Sequence, residues 1–206
     1  VYQRLLEFSP FEDTSCTWFD AWWMFGVNDG FDIVIGNPPY GAKLSADDKK
    51  LYYSIYKHQD YQLDTYLLFI EKSFQMMKPN AVNAFIIPNT WLIKKKKKKF
   101  RKYIVDHNTI LNIVHYHKSV FENAVVDTQV VIFKKQISNN NLVQILEYID
   151  IEKPSITTIN QDKWKNLNGE PINIFINESS QAIIDVIKQN GNPLSSICNV
   201  VIGMKP

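Results

Sequence analysis

The sequence predicts an α/β fold built on a largely parallel sheet, and three observations lead there. Short apolar, β-branched runs at 31–36 and 83–87 each stop at a proline (Asn37-Pro38-Pro39-Tyr40 and Pro88-Asn89). Between them, Leu63, Leu67, Ile70, Phe74 and Met77 recur at spacings of three and four, the period of an amphipathic helix. Further apolar runs follow at 110–116 and 128–133, so strands and helices alternate.

Residues 1–30 are rich in aromatics (Phe8, Phe11, Trp18, Phe19, Trp22, Trp23, Phe25) without a clean period, and read as a partly buried lead-in with a short strand. The run 31–36 reads as a buried strand, because proline cannot continue a ladder. Residues 41–60 read as a loop with a short helix. The helix over 63–78 should stop at Lys78-Pro79-Asn80, and 83–89 should be the next strand. A basic helix is expected over 94–106, then strands at 110–116, 128–133 and 142–150. Residues 154–170 read as polar and irregular. Residues 178–190 read as a helix ending at Asn190-Gly191.

The 206 residues allow one good core, or one domain and part of another. Hydrophobic residues make up 45%, typical of a globular chain. A net charge of +2 gives no chain-wide nucleic-acid signature, so any basic surface must be local. Cys16 and Cys198 form no CxxC pair, which points away from a metal site and a disulfide framework. No apolar run approaches the roughly 18 residues of a membrane span, and no signal-peptide pattern opens the chain. A cytoplasmic location is therefore expected. The first residue is Val, from which we expect the sequence to begin mid-protein.

Asn37-Pro38-Pro39-Tyr40 carries the chemistry. Ligands of open α/β sheets bind at the carboxyl ends of strands, where this turn and Pro88-Asn89-Thr90-Trp91 both fall. The turn suits methylation of a planar amine, whose lone pair is delocalised. Two acceptors, the Asn37 side-chain oxygen and the Pro38 carbonyl, would hold its two N–H groups and draw the nitrogen toward tetrahedral geometry. Pro38 and Pro39 stiffen the turn, and Tyr40 offers a ring for a base taken out of a duplex.

Residues 31–40, FDIVIGNPPY, resemble the motif block of amino-methyltransferases that modify DNA adenine. The resemblance continues in order through Leu63–Lys72, Met77-Lys78-Pro79, Ala84–Leu92, Phe100–Ile104, Val120–Ala124 and Asp127–Phe133, spanning roughly residues 30–135. It is nearest to the gamma-type DNA adenine-N6 methyltransferases found in Type IIG restriction–modification enzymes. That implies the C-terminal half of a Rossmann-like, S-adenosylmethionine-dependent methyltransferase sheet over 1–138. A connecting segment would occupy 139–190, and a target-recognition domain would begin at 191–206.

The resemblance also implies roles. Asn37, Pro38, Pro39 and Tyr40 are the catalytic turn, Tyr40 and Phe121 hold the target base, and Asn37 and Phe69 border the S-adenosylmethionine site. Lys94, Lys95, Arg101 and Lys102 are DNA-contact candidates, a solvated helix face being the alternative. The expected partner is double-stranded DNA, with an endonuclease and a recognition domain fused or associated. The family's Gly-rich cofactor turn precedes this block, and Gly26 and Gly30 do not form it. An incomplete cofactor site is therefore expected, and a chain inactive by itself. A protein-glutamine or RNA methyltransferase would use the same four residues, and a non-catalytic DNA-specificity subunit would keep the fold. The segment Asp64–Lys72, Val120-Phe121 and the C-terminal extension favour DNA.

Two smaller signals remain. The tyrosines Tyr52, Tyr53, Tyr56, Tyr61 and Tyr66 either stack nucleotides or pack a lid loop. His115 and His117 share one face of a strand without a sequence-near acidic or Cys partner, so structural roles are expected and no metal site.

Overall fold

The computed structural model describes residues 21–117, 127–149, 153–175 and 178–199. The chain divides into two compact units, Val1–Ile172 and Asn173–Pro206.

The first unit is built on a six-stranded sheet: β1 (Phe31–Gly36), β2 (Met77–Pro88), β3 (Thr109–Tyr116), β4 (Thr128–Lys134), β5 (Leu142–Tyr148) and β6 (Ser155–Asn160). Their spatial order is β1-β2-β4-β3-β5-β6. The helices are α1 (Ala21–Phe25), α2 (Ala46–Ile55), α3 (Thr65–Met76), α4 (Thr90–Ile93), α5 (Lys98–His107) and α6 (Asp162–Lys165). A 3-10 turn over Lys95–Lys97 precedes α5.

The sheet is mixed, which corrects the expected largely parallel arrangement. β1/β2 and β3/β5 are parallel, and the other three pairings are antiparallel. Connectivity explains this. A parallel neighbour needs a crossover of a dozen or more residues, which the segment containing α3 supplies between β1 and β2. The link from β3 to β4 is shorter, so β4 turns back and fills the gap between β2 and β3.

The helix expected over 63–78 runs from 65 to 76 and buries Leu67, Ile70 and Phe74. Pro79 falls inside β2, at a register shift where the ladder with β1 is already broken, and Asn80 takes φ 66°. Phe85 and Ile87 of β2, Ile110 and Ile113 of β3, and Val131 and Phe133 of β4 meet the helices in one core. Phe133 packs edge-on to Phe74 at 5.8 Å and to Trp91 at 6.1 Å, and Trp91 stands edge-on to Phe100 at 6.4 Å.

Residues 154–170, expected to be irregular, contain β6 and α6. The signal was there: Ile156-Thr157-Thr158-Ile159 is a β-branched run. It escapes an alternation test because most of this edge strand is exposed. Gln161 fastens its end. Its amide donates to Val105 O and Asn108 O at 2.9 and 2.7 Å, and its oxygen accepts from Ile110 N at 2.9 Å. β5 and β6 carry the sheet past residue 138. The segment 1–30, expected to hold a strand, holds α1 at 21–25, and residues 1–20 lie outside the described residues.

The second unit contains α7 (Glu178–Asn190), with the bounds expected, and a short 3-10 turn at Leu194–Ser196. Among the described residues no helix is long and apolar enough to cross a membrane.

Candidate active site

β1 ends at Gly36, and the chain passes directly into Asn37-Pro38-Pro39-Tyr40. Asn37 is exposed, Pro38 is buried and Tyr40 is half-buried. The turn is therefore anchored on its second residue and presents its first.

Two residues at the start of α3 brace it. The Thr65 hydroxyl donates to the Pro39 carbonyl at 2.6 Å, and the Asp64 carboxylate accepts the Gly41 N–H at 3.2 Å. Asp64 occupies the N-cap position of α3 yet makes no side-chain cap there. Its carboxylate serves the neighbouring turn instead. The other carboxylate oxygen meets Lys97 Nζ at 3.2 Å.

Lys97 belongs to the six-lysine run but is 3% exposed. Its ammonium also lies 5.5 Å from the centre of the buried Tyr66 ring. Burial pulls its pKa down, and the adjacent Asp64 carboxylate pulls the other way. Burial pushes the Tyr66 phenol upward, so the phenol stays neutral, with Thr90 Oγ1 3.4 Å away. A hydrogen-bonded path thus runs from the lysine run through Asp64 to the turn. It was missed in the sequence, although Asp-Thr before an apolar period is a recognisable helix start.

Phe69 lies on the outward face of α3 and is 49% exposed, an aromatic surface open to a ligand. Phe121 lies outside the described residues. The four DNA-contact candidates separate. Lys94 and Lys95 are exposed. Lys102 pairs with Asp106 one helical turn away at 2.6 Å. Arg101 is fully buried and donates to Gly169 O, Trp91 O and Lys94 O at 2.9, 2.8 and 2.6 Å. Its guanidinium ties α4, the lysine run and residue 169 together, and this structural post replaces the expected phosphate contact.

The tyrosines divide as well. Tyr66 is core, Tyr52 and Tyr56 pack edge-on at 6.1 Å, and Tyr53 donates to the carbonyls of Asp60 and Tyr61. Tyr61 is 91% exposed. His115 and His117 are perpendicular neighbours at 4.9 Å, and His117 meets Glu147 of β5 at 2.5 Å, an acidic partner far away in sequence. Among the described residues no group of three His, Cys, Asp or Glu side chains is placed to hold a metal.

The arrangement thus offers an exposed Asn37 side chain next in sequence to the anchored Pro38, on a turn held at Pro39 and Gly41 and placed at the carboxyl end of a strand. Such a pair is suited to receive the two hydrogens of an amine.

The family described as Eco57I restriction-modification methylase matches residues 7–121. RM.MjaORFECS2P of Methanocaldococcus jannaschii is 30% identical over 169 residues, covering 79% of this chain and 14% of that protein. The type II restriction enzyme and methyltransferase RM.Eco57I of Escherichia coli is 29% identical over 120 residues, covering 55% of this chain and 12% of that protein. The chain thus spans about an eighth of the length of these relatives. Among solved structures, the type IIG restriction endonuclease BpuSI superposes with a TM-score of 0.56 at 19% identity, over 82% of this chain and 23% of that one. A Listeria monocytogenes protein assigned to the class I S-adenosylmethionine-dependent methyltransferases superposes at 0.50, with 16% identity, over 80% of this chain and 43% of that one. These two likenesses show a shared α/β fold. The sequence match covers more than half of the chain, and the chain belongs to the Eco57I restriction-modification methylase family.

Proposed function

We propose that this chain carries the target-base half of an adenine-specific DNA methyltransferase of a restriction–modification system. The observation that carries this reading is the exposed Asn37 beside the anchored Pro38, on a turn braced by Thr65 and Asp64. The Asn37 oxygen and the Pro38 carbonyl accept the two N–H groups of the exocyclic amine of a flipped adenine. They localise its lone pair and face the positive charge that develops on nitrogen as the new bond forms. Tyr40 stacks on the extruded base, and Phe121 is assigned to its other contact. The proton leaves to solvent after transfer.

S-adenosylmethionine, when bound, supplies the electrophilic methyl group. The outward ring of Phe69 fits an apolar contact with the adenine of that cofactor, and Asn37 is assigned to the same site. Residues 191–206 are assigned to the start of a target-recognition domain, and an endonuclease is expected in the same system. Lys94 and Lys95 stay available to DNA phosphates. A prokaryotic cytoplasm is the expected compartment.

The test is methyl transfer from labelled S-adenosylmethionine to unmethylated DNA, with the full-length protein and its Asn37→Ala variant. Label should appear in adenine, and the variant should lose roughly 10²- to 10³-fold in kcat, the scale of one preorganised transition-state contact. Label in protein or RNA would replace the DNA reading. DNA binding without label would assign the fold to recognition alone.

A further inference from the structure

The lysine run is not one surface. Lys97 is paired with Asp64, Lys98 with Glu170, and Lys102 beyond the run with Asp106. Lys96 is different. It lines a cleft of about 710 Å³ together with Lys43 from the loop after the candidate turn and Lys49 from α2. Tyr53 and Tyr61 also line it, and among the described residues no acidic side chain does.

Three separate segments therefore bring three lysines to one concavity. Among the described residues no ion pair neutralises any of them. Two nearby carboxylates are turned to local hydrogen bonds instead. Asp48 receives the Ser45 hydroxyl and N–H at the head of α2, and Asp60 receives the Lys99 N–H at 2.9 Å. The position is also informative. Ala42 and Leu63 line the cleft, and they flank Gly41 and Asp64, the residues whose hydrogen bond braces the candidate turn. The cleft thus lies beside the two segments that brace the candidate turn.

We infer that this cleft is a docking groove for the sugar–phosphate backbone of the DNA strand next to the target base. The three lysines neutralise phosphates, and the exposed Tyr61 ring lies along the path. The inference rests on the DNA reading above and adds a binding site to it. Lys43, Lys49 and Lys96 meet phosphates, whereas Lys98 and Lys102 are held by carboxylates.

The experiment measures binding of the full-length protein to a fluorescently labelled DNA duplex as salt is raised, in the wild type and in the K43Q/K49Q/K96Q variant. Each phosphate that no longer meets a lysine makes the slope of log K against log salt shallower by about 0.9, so the slope of the triple variant should be shallower by up to about 2.7. A K98Q/K102Q variant, which removes a comparable positive charge, should keep the wild-type slope. All three side chains are at the surface, and matching thermal melts show that the fold is retained. A triple variant with the wild-type slope, or an equally shallow slope in the K98Q/K102Q control, overturns the groove. Either result leaves the methyl-transfer assay untouched. A protein that fails that assay but shows the predicted slopes keeps the groove and loses the proposed reaction.

Discussion

Thr65 and Asp64 determine how firmly the candidate turn is held, because each spends a polar group on the turn's backbone. Replacing Thr65 by Val keeps the volume and removes the donor to Pro39 O. Thr65→Val should lower kcat for methyl transfer by up to about 10²-fold, the scale of a misplaced reacting group, with little change in KM for DNA. Thr65→Ser should restore it; equal losses in both variants would assign Thr65 to packing. Histidines give the second residue-scale expectation. Burial pulls His58 and His115 below the ordinary value of 6.5, His117 adding to the shift at His115 while Glu71 opposes it at His58. Each stays neutral in the folded protein while the unfolded chain takes up a proton near 6.5. Stability is therefore full above that pH and declines as pH falls below it. The thermal midpoint should drop on acidification from neutrality, and less so in His58→Phe, which keeps the stack on Tyr103 at 3.7 Å but cannot titrate. A midpoint that falls equally in both proteins would remove His58 from the account. Asn37, Pro38 and Tyr40 stood out in the sequence because a turn's chemistry is local. Asp64–Lys97 and the three carbonyls around Arg101 did not, because their members lie 33 and up to 68 residues apart.

Elements that pack on one face were legible from their periods, and those closed by tertiary contacts were not. α3 and the apolar strands β1 to β5 follow from spacing and β-branched runs, but β1, expected to be buried, is exposed along most of its length because it stands at the sheet edge. β6 depends on an edge position and on Gln161, whose partners come from α5, β3 and the bend after α5. Strand order was equally hidden, since the insertion of β4 between β2 and β3 is a property of connection length rather than composition. One glycine sets how β1 enters the sheet. Gly30 has φ +104°, and a Cβ there would meet the Met76 carbonyl oxygen at 2.4 Å, at the junction of α3 and β2. Both the left-handed backbone and the close approach demand glycine. Gly30→Ala should cost on the order of 1–3 kcal/mol, seen as a lower denaturant midpoint. It should act on β1, and so on the turn at its end, before the rest of the sheet. An unchanged midpoint would mean that the loop before β1 relaxes freely.

At the scale of the whole molecule, the two edges of the sheet differ in character. β6 finishes one edge with Ser155, Thr157 and Thr158 around a single exposed apolar residue, Ile156. β1 has one neighbour among the described residues, and Phe31, Ile33 and Ile35, which alternate onto one face, are 37%, 68% and 79% exposed. Trp22, Trp23 and Phe25 of α1 add exposed apolar surface at 57%, 41% and 61%. Edge strands in stable monomers are usually blunted by charge, proline or a covering element, and a flat apolar edge invites pairing with another chain. Asp32 is the one charge on β1, and Lys78 already holds it at 2.9 Å. A protein of residues 1–206 should therefore associate with itself as its concentration rises. Ile33→Lys with Ile35→Lys should hold it as a monomer without altering the core, because neither side chain is buried. Sedimentation velocity over a concentration series decides this. Association that disappears in the double variant locates the contact on β1. Association that persists would move it to α1 or another surface, and a chain monomeric at every concentration would mean that this apolar face is tolerated in water as it stands.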